Sequence, residues 1–317
     1  MTPILTITPN PALDLATEAD HVLPGPKLRC AAPRVDPGGG GINVARAVRL
    51  LGGKARAIVA LGGATGLRLA DALTREGIAF APVPAPGETR QSLAVTDRSS
   101  GAQYRFVLPG EPWGTDDRDR LLARVAEITP PGAWVVLSGS LPPGLPPRFA
   151  AAVQAALPPG ARLILDTSGA ALRAVVEDPV PGLAVLRMDD AEAEDLAGHS
   201  FANRRCSARY AADLVARGVA ESVIIARGAE GSVLADGMGR LFAPAPRVQV
   251  VSAVGAGDTF VGALVLALAE GAPRDRALAC AVAAAAAACI TPATELCHPE
   301  DVARFLADLR VEPLTDD

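Results

Sequence analysis

Short apolar runs alternate with segments of helical periodicity along most of the chain. Runs of this length that end in polar or glycine-containing turns predict buried strands. We place strands at residues 4–8, 56–61, 79–83, 134–137, 163–165, 183–186, 223–225 and, before a glycine turn, 248–251. We place helices from about Asn43 and at 65–77, 147–156, 190–197, 207–217, 261–268, 274–290 and 299–309. This alternating order predicts an α/β fold, a parallel sheet with helices on both faces.

Two segments interrupt the alternation. Residues 12–36 are divided by prolines into short pieces, and residues 27–32 alternate charged and apolar side chains like an exposed strand. Residues 89–108 read as a β-hairpin that turns at 97–101. We therefore predict that 12–36 and 89–108 pair into a small separate sheet. The core then comprises residues 1–11, 37–88 and 109–317.

Composition narrows the class of protein. The 317 residues are 50% hydrophobic and 21% charged, which is typical of a globular chain, and the net charge of −5 argues against nucleic-acid or membrane-surface partners. Five cysteines without CxxC spacing predict reduced thiols in the cytoplasm, and three dispersed histidines argue against a histidine-based metal site. The longest uncharged run, 277–294, is alanine-rich and predicts a packed helix instead of a membrane span.

Four consecutive glycines at 38–41 open a helix. They cost backbone entropy and have no packing role in the sequence pattern, so we expect another group to approach this backbone closely. The run resembles a dinucleotide-binding fingerprint. Its spacing differs, however, and no acidic residue follows about 20 positions later to hold a ribose, which disfavours a dehydrogenase.

A second glycine turn, Gly255-Ala256-Gly257, leads into an apolar helix and carries Asp258. Backbone N–H groups at a helix N-terminus favour anions. A carboxylate beside such a site suits a general base that takes a proton from an attacking hydroxyl, although an Asp at this position also serves as an ordinary helix cap. Asp14, just past the first strand, is either a ligand residue at the sheet edge or a solvated turn residue.

Four cations fall within the predicted small sheet: Lys27, Arg29, Arg90 and Arg105. Clustered together, they would form a grip for a phosphate or a sugar phosphate. The alternative is that they are scattered, solvated side chains, since arginine is abundant throughout the chain.

These motifs together resemble the ribokinase-like (PfkB) sugar kinases, and within them the minor, ATP-dependent 6-phosphofructokinase group. The resemblance runs from Ile4 to about Leu309. It is carried by residues 37–46 (PGGGGINVAR), 103–110 (QYRFVLPG), 138–144 (SGSLPPG) and 254–262 (VGAGDTFVG). It implies a ribokinase-like fold, with a Rossmann-like core and a β lid (12–36 and 89–108) that closes on the sugar and often dimerises through its face.

The resemblance also implies roles around the sugar. Asp258 would be the catalytic base, and Gly255, Ala256 and Gly257 would form the anion hole for the transferring phosphoryl group. The sugar hydroxyls would be held by Asp14, Gly39, Gly40, Asn43 and Ser140. The existing phosphate would be held by Lys27, Arg29, Arg90 and Arg105, with Arg29 supplied by the same subunit or by a partner in a homodimer.

On the nucleotide side, the resemblance implies that ATP and Mg²⁺ are required. Asp166 and Glu192 would order Mg²⁺ and its waters, while Gly228 and Gly231 would let the nucleotide phosphates approach. The family's Lys-Pro-Asn-x-x-Glu is here Arg187-Met188-Asp189-Asp190-Ala191-Glu192. Arg187 keeps the cation, whereas Asp189 adds a negative charge that would weaken nucleotide binding or attract a second metal.

Two features bear on the choice of substrate. Similar 1-phosphofructokinases carry a lysine where this chain has Gly40, and the cation is offered instead by Lys27 and Arg29, as in the 6-phosphofructokinase group. The resemblance therefore favours fructose 6-phosphate, with tagatose 6-phosphate or fructose 1-phosphate as alternatives. Ala253 replaces a common threonine, and residues 292–295 replace a Gly-Thr-Arg-like loop that helps to bind a monovalent cation in relatives. K⁺ dependence therefore stays open. These departures also motivate a rival interpretation, a catalytically weak sugar-phosphate-binding protein, against which the retained Asp258 argues.

Overall fold

The computed structural model describes residues 1–292 and 294–315. The strands are β1 (Ile4–Thr8), β2 (Ala12–Ala19), β3 (Arg34–Gly38), β4 (Ala55–Leu61), β5 (Ala79–Pro84), β6 (Arg90–Asp97), β7 (Gln103–Val107), β8 (Trp134–Ser138), β9 (Arg162–Asp166), β10 (Leu183–Asp189), β11 (Ser222–Ala226), β12 (Gly231–Asp236), β13 (Gly239–Pro244) and β14 (Glu312–Leu314). The helices are α1 (Gly40–Leu50), α2 (Gly63–Arg75), α3 (Thr115–Ile128), α4 (Phe149–Ala156), α5 (Gly169–Glu177), α6 (Asp190–Ala197), α7 (Arg204–Ala216), α8 (Ala256–Ala269), α9 (Arg274–Cys289) and α10 (Pro299–Asp308).

The large sheet has the strand order β14-β13-β12-β11-β10-β9-β8-β1-β4-β5. Strands from β11 to β5 in this order pair in parallel, and β12, β13 and β14 extend the sheet in antiparallel pairing. One hydrophobic core lies under α3 to α7, and a second lies on the opposite face under α1, α8 and α9. The predicted α/β fold with both faces covered is therefore confirmed.

A separate sheet of four strands has the order β3-β2-β6-β7. Its centre is a parallel pair between β2 and β6, with β3 and β7 antiparallel at the two edges. Residues from 12–36 and 89–108 thus pair as the sequence predicted.

The strand predicted at 27–32 is wrong, because these residues lie in the loop between β2 and β3. Both edges of β2 are already occupied, by β3 and by β6. Pro24 and Pro26 also lack the N–H group that a ladder requires. A single backbone bond, from Ala31 N–H to the Glu18 carbonyl at 2.9 Å, ties the loop to the sheet.

The strand predicted at 248–251 is also wrong. The antiparallel strand β13 ends at Pro244, and the following residues run in irregular extended conformation towards α8, with Val250 and Val251 exposed. Hydrophobic periodicity missed α3, α5 and β14. In α3 only Leu121 and Val125 are buried, so its apolar stripe is narrow.

Helices α1 and α8 approach each other very closely. A Cβ atom on Gly262 would lie 2.6 Å from the Cβ of Ala47, a distance that packed atoms do not tolerate. Gly262 lies one turn after Asp258, and Ala47 lies one turn after Asn43. Residues four apart share a helix face, so this contact brings Asn43 to Asp258.

The alanine-rich helix α9 is 16 residues long and mostly buried. Within residues 1–292 and 294–315, no helix combines the length and apolar character needed to cross a bilayer. The predicted packed helix at 274–290 is confirmed.

Candidate active site

Asp258 lies in the first turn of α8, where it contacts two neighbouring elements. Its Oδ2 accepts a hydrogen bond from the Asn43 amide nitrogen at 2.9 Å, and its Oδ1 accepts one from the Ser138 hydroxyl at 3.4 Å. Asn43 comes from α1 and Ser138 ends β8. The side chain is therefore fixed from both sides at the carboxyl edge of the large sheet.

The environment changes the acidity of this carboxyl group. Removal from bulk water raises the pKa of Asp258 to about 7, and the charge of Asp166 adds to the rise. The hydrogen bond from Asn43, the charge of Arg187 and the hydrogen bond from Ser138 act in the opposite direction. A carboxyl group with a pKa near neutrality can both accept and release a proton at physiological pH, as a general base must.

A polar chain continues from Ser138 to Arg187. The Ser138 hydroxyl also contacts Asp166 Oδ2 at 3.0 Å, and Arg187 Nη1 donates to Asp166 Oδ1 at 3.1 Å. Both side chains of this ion pair are largely buried, with exposed fractions of 14% for Arg187 and 12% for Asp166. Despite the opposing effect of burial, the Asp166 charge and hydrogen bond keep the pKa of Arg187 raised, so the guanidinium stays charged.

The glycine turn before Asp258 has the backbone that its sequence requires. Gly255 is the N-cap of α8 with φ of 78°, a left-handed conformation that favours glycine, and it makes no side-chain cap bond. At Gly257, an added Cβ would lie 3.3 Å from Arg187 Nη1. The turn Gly255-Ala256-Gly257 thus places the positive end of α8 beside a buried guanidinium, an arrangement that favours an anion.

The glycine run 38–41 corrects one expectation. The sequence assigned these glycines no packing role, yet each lies against the protein itself. An added Cβ would lie 2.0 Å from Asp14 Oδ2 at Gly38, 2.8 Å from Thr8 Cγ2 at Gly39, 2.4 Å from Ser138 Oγ at Gly40 and 2.5 Å from Thr8 Oγ1 at Gly41. The run lets α1 begin directly against β1 and β8, which places Asn43 in the site.

A cavity of about 520 Å³ lies between the small sheet and the core. It is lined by Arg90, Ser140 and Asn10, among others. Arg90 donates through Nε and Nη2 to the Asn10 carbonyl at 3.2 and 3.1 Å, and the Asn10 amide donates to Ser140 Oγ at 3.2 Å. Asn10 was missed as a site residue, because in the sequence it reads only as part of a strand-breaking Pro-Asn-Pro turn.

Asp14 lies in β2, opposite Ser92 of β6 and Asp36 of β3. Burial raises the pKa of Asp14, and the charges of Arg90 and Arg105 together with a hydrogen bond from Ser92 limit the rise. Its carboxylate lies against Gly38, where an added Cβ would be 2.0 Å from Oδ2. The interpretation as a solvated turn residue is therefore wrong.

The predicted cluster of four cations is only partly formed. Arg90 lines the 520 Å³ cavity, whereas Arg105 lines a neighbouring cavity of about 310 Å³ with Gln103 and residues 251–254. Lys27 and Arg29 are exposed on the loop between β2 and β3, and neither lines these two cavities. Because that loop forms no strand, nothing in the described part of this single chain brings the two cations to Arg90.

A larger cavity of about 680 Å³ opens on the other side of the glycine turn. Its polar rim comprises Arg187, Asp189, Gly228, Gly231 and Gly257, and its apolar wall comprises Val248, Val250, Phe260, Val282, Ala286 and Cys289. Gly231 has φ of 125°, and an added Cβ would lie 2.1 Å from the Ala243 carbonyl oxygen. The four residues predicted to bind the nucleotide, Arg187, Asp189, Gly228 and Gly231, therefore share one cavity, whereas Asp166 and Glu192 do not line it.

Asp189 and Glu192 form a reciprocal cap at the start of α6. The Glu192 N–H donates to Asp189 Oδ1 at 2.8 Å, and the Asp189 N–H donates to Glu192 Oε2 at 2.9 Å. Asp189 thus has a structural role that an asparagine would also fill. Burial raises the pKa of Glu192, and the backbone bond from Asp189 partly offsets the rise.

Asp166 and Glu192 are the carboxylates predicted to serve a metal. Among residues 1–292 and 294–315, no group of three or more His, Cys, Asp or Glu side chains forms a metal cage. One or two carboxylates suit Mg²⁺, which normally completes its coordination with waters and substrate phosphates. Ala293, in the loop compared with a monovalent-cation site, lies outside the described residues.

The pfkB family carbohydrate kinase model matches residues 10–301. The ATP-dependent 6-phosphofructokinase isozyme 2 of Escherichia coli (strain K12) is 39% identical over 310 residues, covering 98% of this chain and 99% of that protein. The crystal structure of the phosphofructokinase-2 from Escherichia coli in complex with fructose-6-phosphate matches with a TM-score of 0.90 at 38% identity, covering 97% of this chain and 99% of that one. The tetrameric inhibited form of the same protein matches with a TM-score of 0.89 at 38% identity over the same shares. This chain belongs to the pfkB family of carbohydrate kinases.

The raised pKa of Asp258 predicts a pH-dependent stability. Its folded value of about 7 exceeds the ordinary value of 3.8, so the folded state holds an extra proton between these limits. The contribution of Asp258 to the free energy of unfolding is therefore fully present below pH 3.8 and is lost as the pH rises through 7. We expect Asp258→Asn to raise Tm relative to wild type, and to raise it more at pH 8 than at pH 5, in thermal unfolding without nucleotide or metal. An equal Tm difference at both pH values would contradict the shifted pKa.

Proposed function

We propose that the protein transfers the γ-phosphoryl group of ATP to fructose 6-phosphate, giving fructose 1,6-bisphosphate. The observation that carries this proposal is the position of Asp258. Its carboxyl group, with a pKa of about 7, follows the turn that lines the 680 Å³ cavity and contacts Ser138, which lies two residues before Ser140 of the 520 Å³ cavity. A base between a nucleotide cavity and a sugar cavity suits phosphoryl transfer.

In the proposed reaction, Asp258 accepts the proton of the sugar C1 hydroxyl as its oxygen attacks the γ-phosphorus. The new O–P bond forms while the bond from the γ-phosphorus to the bridging oxygen breaks, and ADP carries away the electron pair. The N–H groups of the Gly255-Ala256-Gly257 turn and the Arg187 guanidinium stabilise the charge on the transferring group. Most of the catalysis is positioning and electrostatic stabilisation, because phosphoryl transfer needs little else from a protein.

Arg187 offers a positive charge on the nucleotide side. Its Nη1 is bonded to Asp166, and the residue lines the 680 Å³ cavity. The pKa of Arg187 stays raised by the charge and hydrogen bond of Asp166 despite burial, so the guanidinium is charged. A cation at this cavity attracts phosphate groups, which supports the assignment of Arg187 to ATP.

Mg²⁺ fits the carboxylates of this region. Asp166 and Glu192 would hold the ion through its waters, and the ion would supply charge neutralisation for the nucleotide phosphates. Asp189, bound in its cap, lines the same cavity and adds a negative charge there, which would weaken nucleotide binding or attract a second metal. We assign no step to K⁺, because residues 292–295 differ from the corresponding loop of relatives.

The cytoplasmic location of the protein stays a prediction.

Three observations support fructose 6-phosphate as the acceptor. The Escherichia coli protein that is 39% identical over nearly the whole chain is named for this reaction. Arg90 lies in the cavity beside Ser140, where it can reach a phosphate group. Gly40 leaves no lysine at the position where similar 1-phosphofructokinases carry one, and a Cβ there would lie 2.4 Å from Ser138 Oγ. Tagatose 6-phosphate and fructose 1-phosphate remain the competing acceptors.

The first kinetic test measures ADP release with ATP, Mg²⁺ and each of the three sugar phosphates. We expect the highest kcat/KM with fructose 6-phosphate. Asp258→Asn should lower kcat at least ~100-fold, because a general base typically contributes that much. In wild type, kcat/KM should rise with pH through about 7, as the base loses its proton.

Glu270→Gln is the matched control for this experiment, since Glu270 caps the opposite end of the same helix, α8. It should keep wild-type turnover. Unchanged turnover in Asp258→Asn would overturn the assignment of the base. Binding of fructose 6-phosphate with no turnover in wild type would favour the rival interpretation, a sugar-phosphate-binding protein.

The second kinetic test concerns the sugar phosphate. Arg90→Ala should raise KM for fructose 6-phosphate by about 10-fold or more, because a charged hydrogen bond to phosphate is lost, while KM for ATP stays unchanged. Arg98→Ala is the control, because Arg98 lies on the same sheet but pairs with Glu18 and Asp20 at its exposed turn. Equal changes in both KM values for Arg90→Ala would show that Arg90 is not a phosphate ligand.

We also propose that two copies pair through the outer face of the small sheet. Leu93, Tyr104 and Phe106 lie on that face with exposed fractions of 36%, 40% and 52%. Leu93 and Phe106 are direct cross-strand neighbours, so the apolar surface is continuous. The tetrameric form of the Escherichia coli phosphofructokinase-2 supports self-association in this family. Pairing would also give the exposed Arg29 a neighbouring cleft to reach.

Phe106→Asp tests the pairing. A buried, unpaired carboxylate at the face should shift the protein to a monomer in size-exclusion chromatography with light scattering. It should also raise KM for fructose 6-phosphate if Arg29 acts across subunits. Met238→Asp is the control, because Met238 is 75% exposed on the β12–β13 turn of the large sheet. An unchanged mass for Phe106→Asp would exclude this face.

A further inference from the structure

A partly buried ion pair lies next to Asn43, and its Glu76 side chain is 31% exposed. The Arg46 residue is only 6% exposed. Its guanidinium donates from Nε to Glu76 Oε2 at 2.6 Å and from Nη2 to Glu76 Oε1 at 3.0 Å. The remaining terminal nitrogen, Nη1, donates to Asn43 Oδ1 at 3.2 Å. One guanidinium therefore holds a carboxylate with two of its nitrogens and the Asn43 amide with the third.

This contact decides which way the Asn43 amide faces. Arginine has only donors, so the amide must present its oxygen to Arg46. The amide nitrogen then faces the other way, and it donates to Asp258 Oδ2 at 2.9 Å. A reversed amide would place a carbonyl oxygen against the Asp258 carboxylate and its nitrogen against the guanidinium, which is unfavourable at both ends.

The elements involved make the arrangement rigid. Asn43 and Arg46 are three residues apart on α1, so their side chains lie on the same side of that helix. Glu76 is the C-cap of α2, and its N–H donates to the Ala72 carbonyl at 3.0 Å. The chain from Glu76 through Arg46 and Asn43 to Asp258 thus links α2, α1 and α8.

We propose that the Arg46–Glu76 pair is a positioning device for the catalytic base, acting through Asn43 and without contact to either substrate. The proposal rests on the proposed function, in which Asp258 is the base. Lysine could not replace Arg46, because its single ammonium group lacks the planar fork that reaches Glu76 and Asn43 together. The position of a reacting group strongly affects rate, so a loosened Asn43 should lower turnover.

Arg46→Lys is the informative variant, because it keeps a buried positive charge for Glu76 and so avoids an uncompensated carboxylate. We expect kcat with fructose 6-phosphate to fall by about 10-fold, the effect of one lost hydrogen bond to a charged group, with KM for ATP unchanged. Tm should stay near that of wild type. A merely structural role would lower Tm and change both KM values without a selective loss of kcat.

A double-mutant cycle shows whether the effect passes through Asn43. In an Asn43→Ala background, Arg46→Lys should cause no further loss of kcat, because the group that it orients is gone. If the double variant lost kcat by the product of the two single-variant losses, Arg46 would act independently of Asn43, and the proposal would be overturned. Should Arg46→Lys fail to fold, Glu76→Gln replaces it, with the same expected loss of kcat and the same cycle.

Arg274→Lys is the matched control. Arg274 pairs with Asp236 in another partly buried ion pair, with exposed fractions of 22% and 12%, and also donates to the Gly239 carbonyl, all away from Asn43. It should leave kcat unchanged. If wild type turns over normally and Arg46→Lys keeps full activity, the positioning role of Arg46 is overturned, while the proposed function stands. Absence of wild-type turnover would overturn the proposed function itself, so the two failures are distinguishable.

Discussion

The site depends on how closely α1 and α8 pack. Gly262 and Ala47 meet where an added Cβ would come within 2.6 Å of its neighbour, so the two helices can approach only because these side chains are absent or small. One turn earlier on each helix, that approach brings the Asn43 amide to 2.9 Å from Asp258. The distance between a base and its hydrogen-bond donor is thus set by a small-residue contact outside the cleft. Packed interiors are only slightly compressible, so the geometry is fixed before any ligand arrives.

The glycine run 38–41 serves the same purpose at the other end of α1. Side chains there would collide with Asp14, Thr8 and Ser138, which belong to the small sheet, β1 and β8. Because these atoms are so close, α1 begins at the meeting point of the two sheets. The 680 Å³ cavity reaches the N-terminus of α8 through Ala256 and Gly257. A helix N-terminus favours negative charge, which suits the phosphate groups of the proposed nucleotide.

Local patterns in the sequence predicted what depends on local chemistry. The alternation of strands and helices predicted the large sheet, and the glycine turn predicted the start of α8 with Asp258 in its first turn. The sequence pattern failed where the structure depends on contacts between elements that are far apart in the chain. Residues 27–32 alternate like a strand, but β3 and β6 already occupy both edges of β2. Arg46 reads as one of many arginines, and only the packing of α1 against α2 pairs it with Glu76. Asn10 likewise gains its contacts from segments 80 and 130 residues away.

The charges around Asp258 explain why so acidic a residue can carry a proton near neutral pH. Burial and the neighbouring Asp166 favour the protonated form, while Asn43, Arg187 and Ser138 favour the ionised one. Asp166 is itself held by Arg187 and Ser138, so the two carboxylates share their partners. A cation that bound Asp166 would weaken its repulsion of Asp258 and favour ionisation of this proposed base.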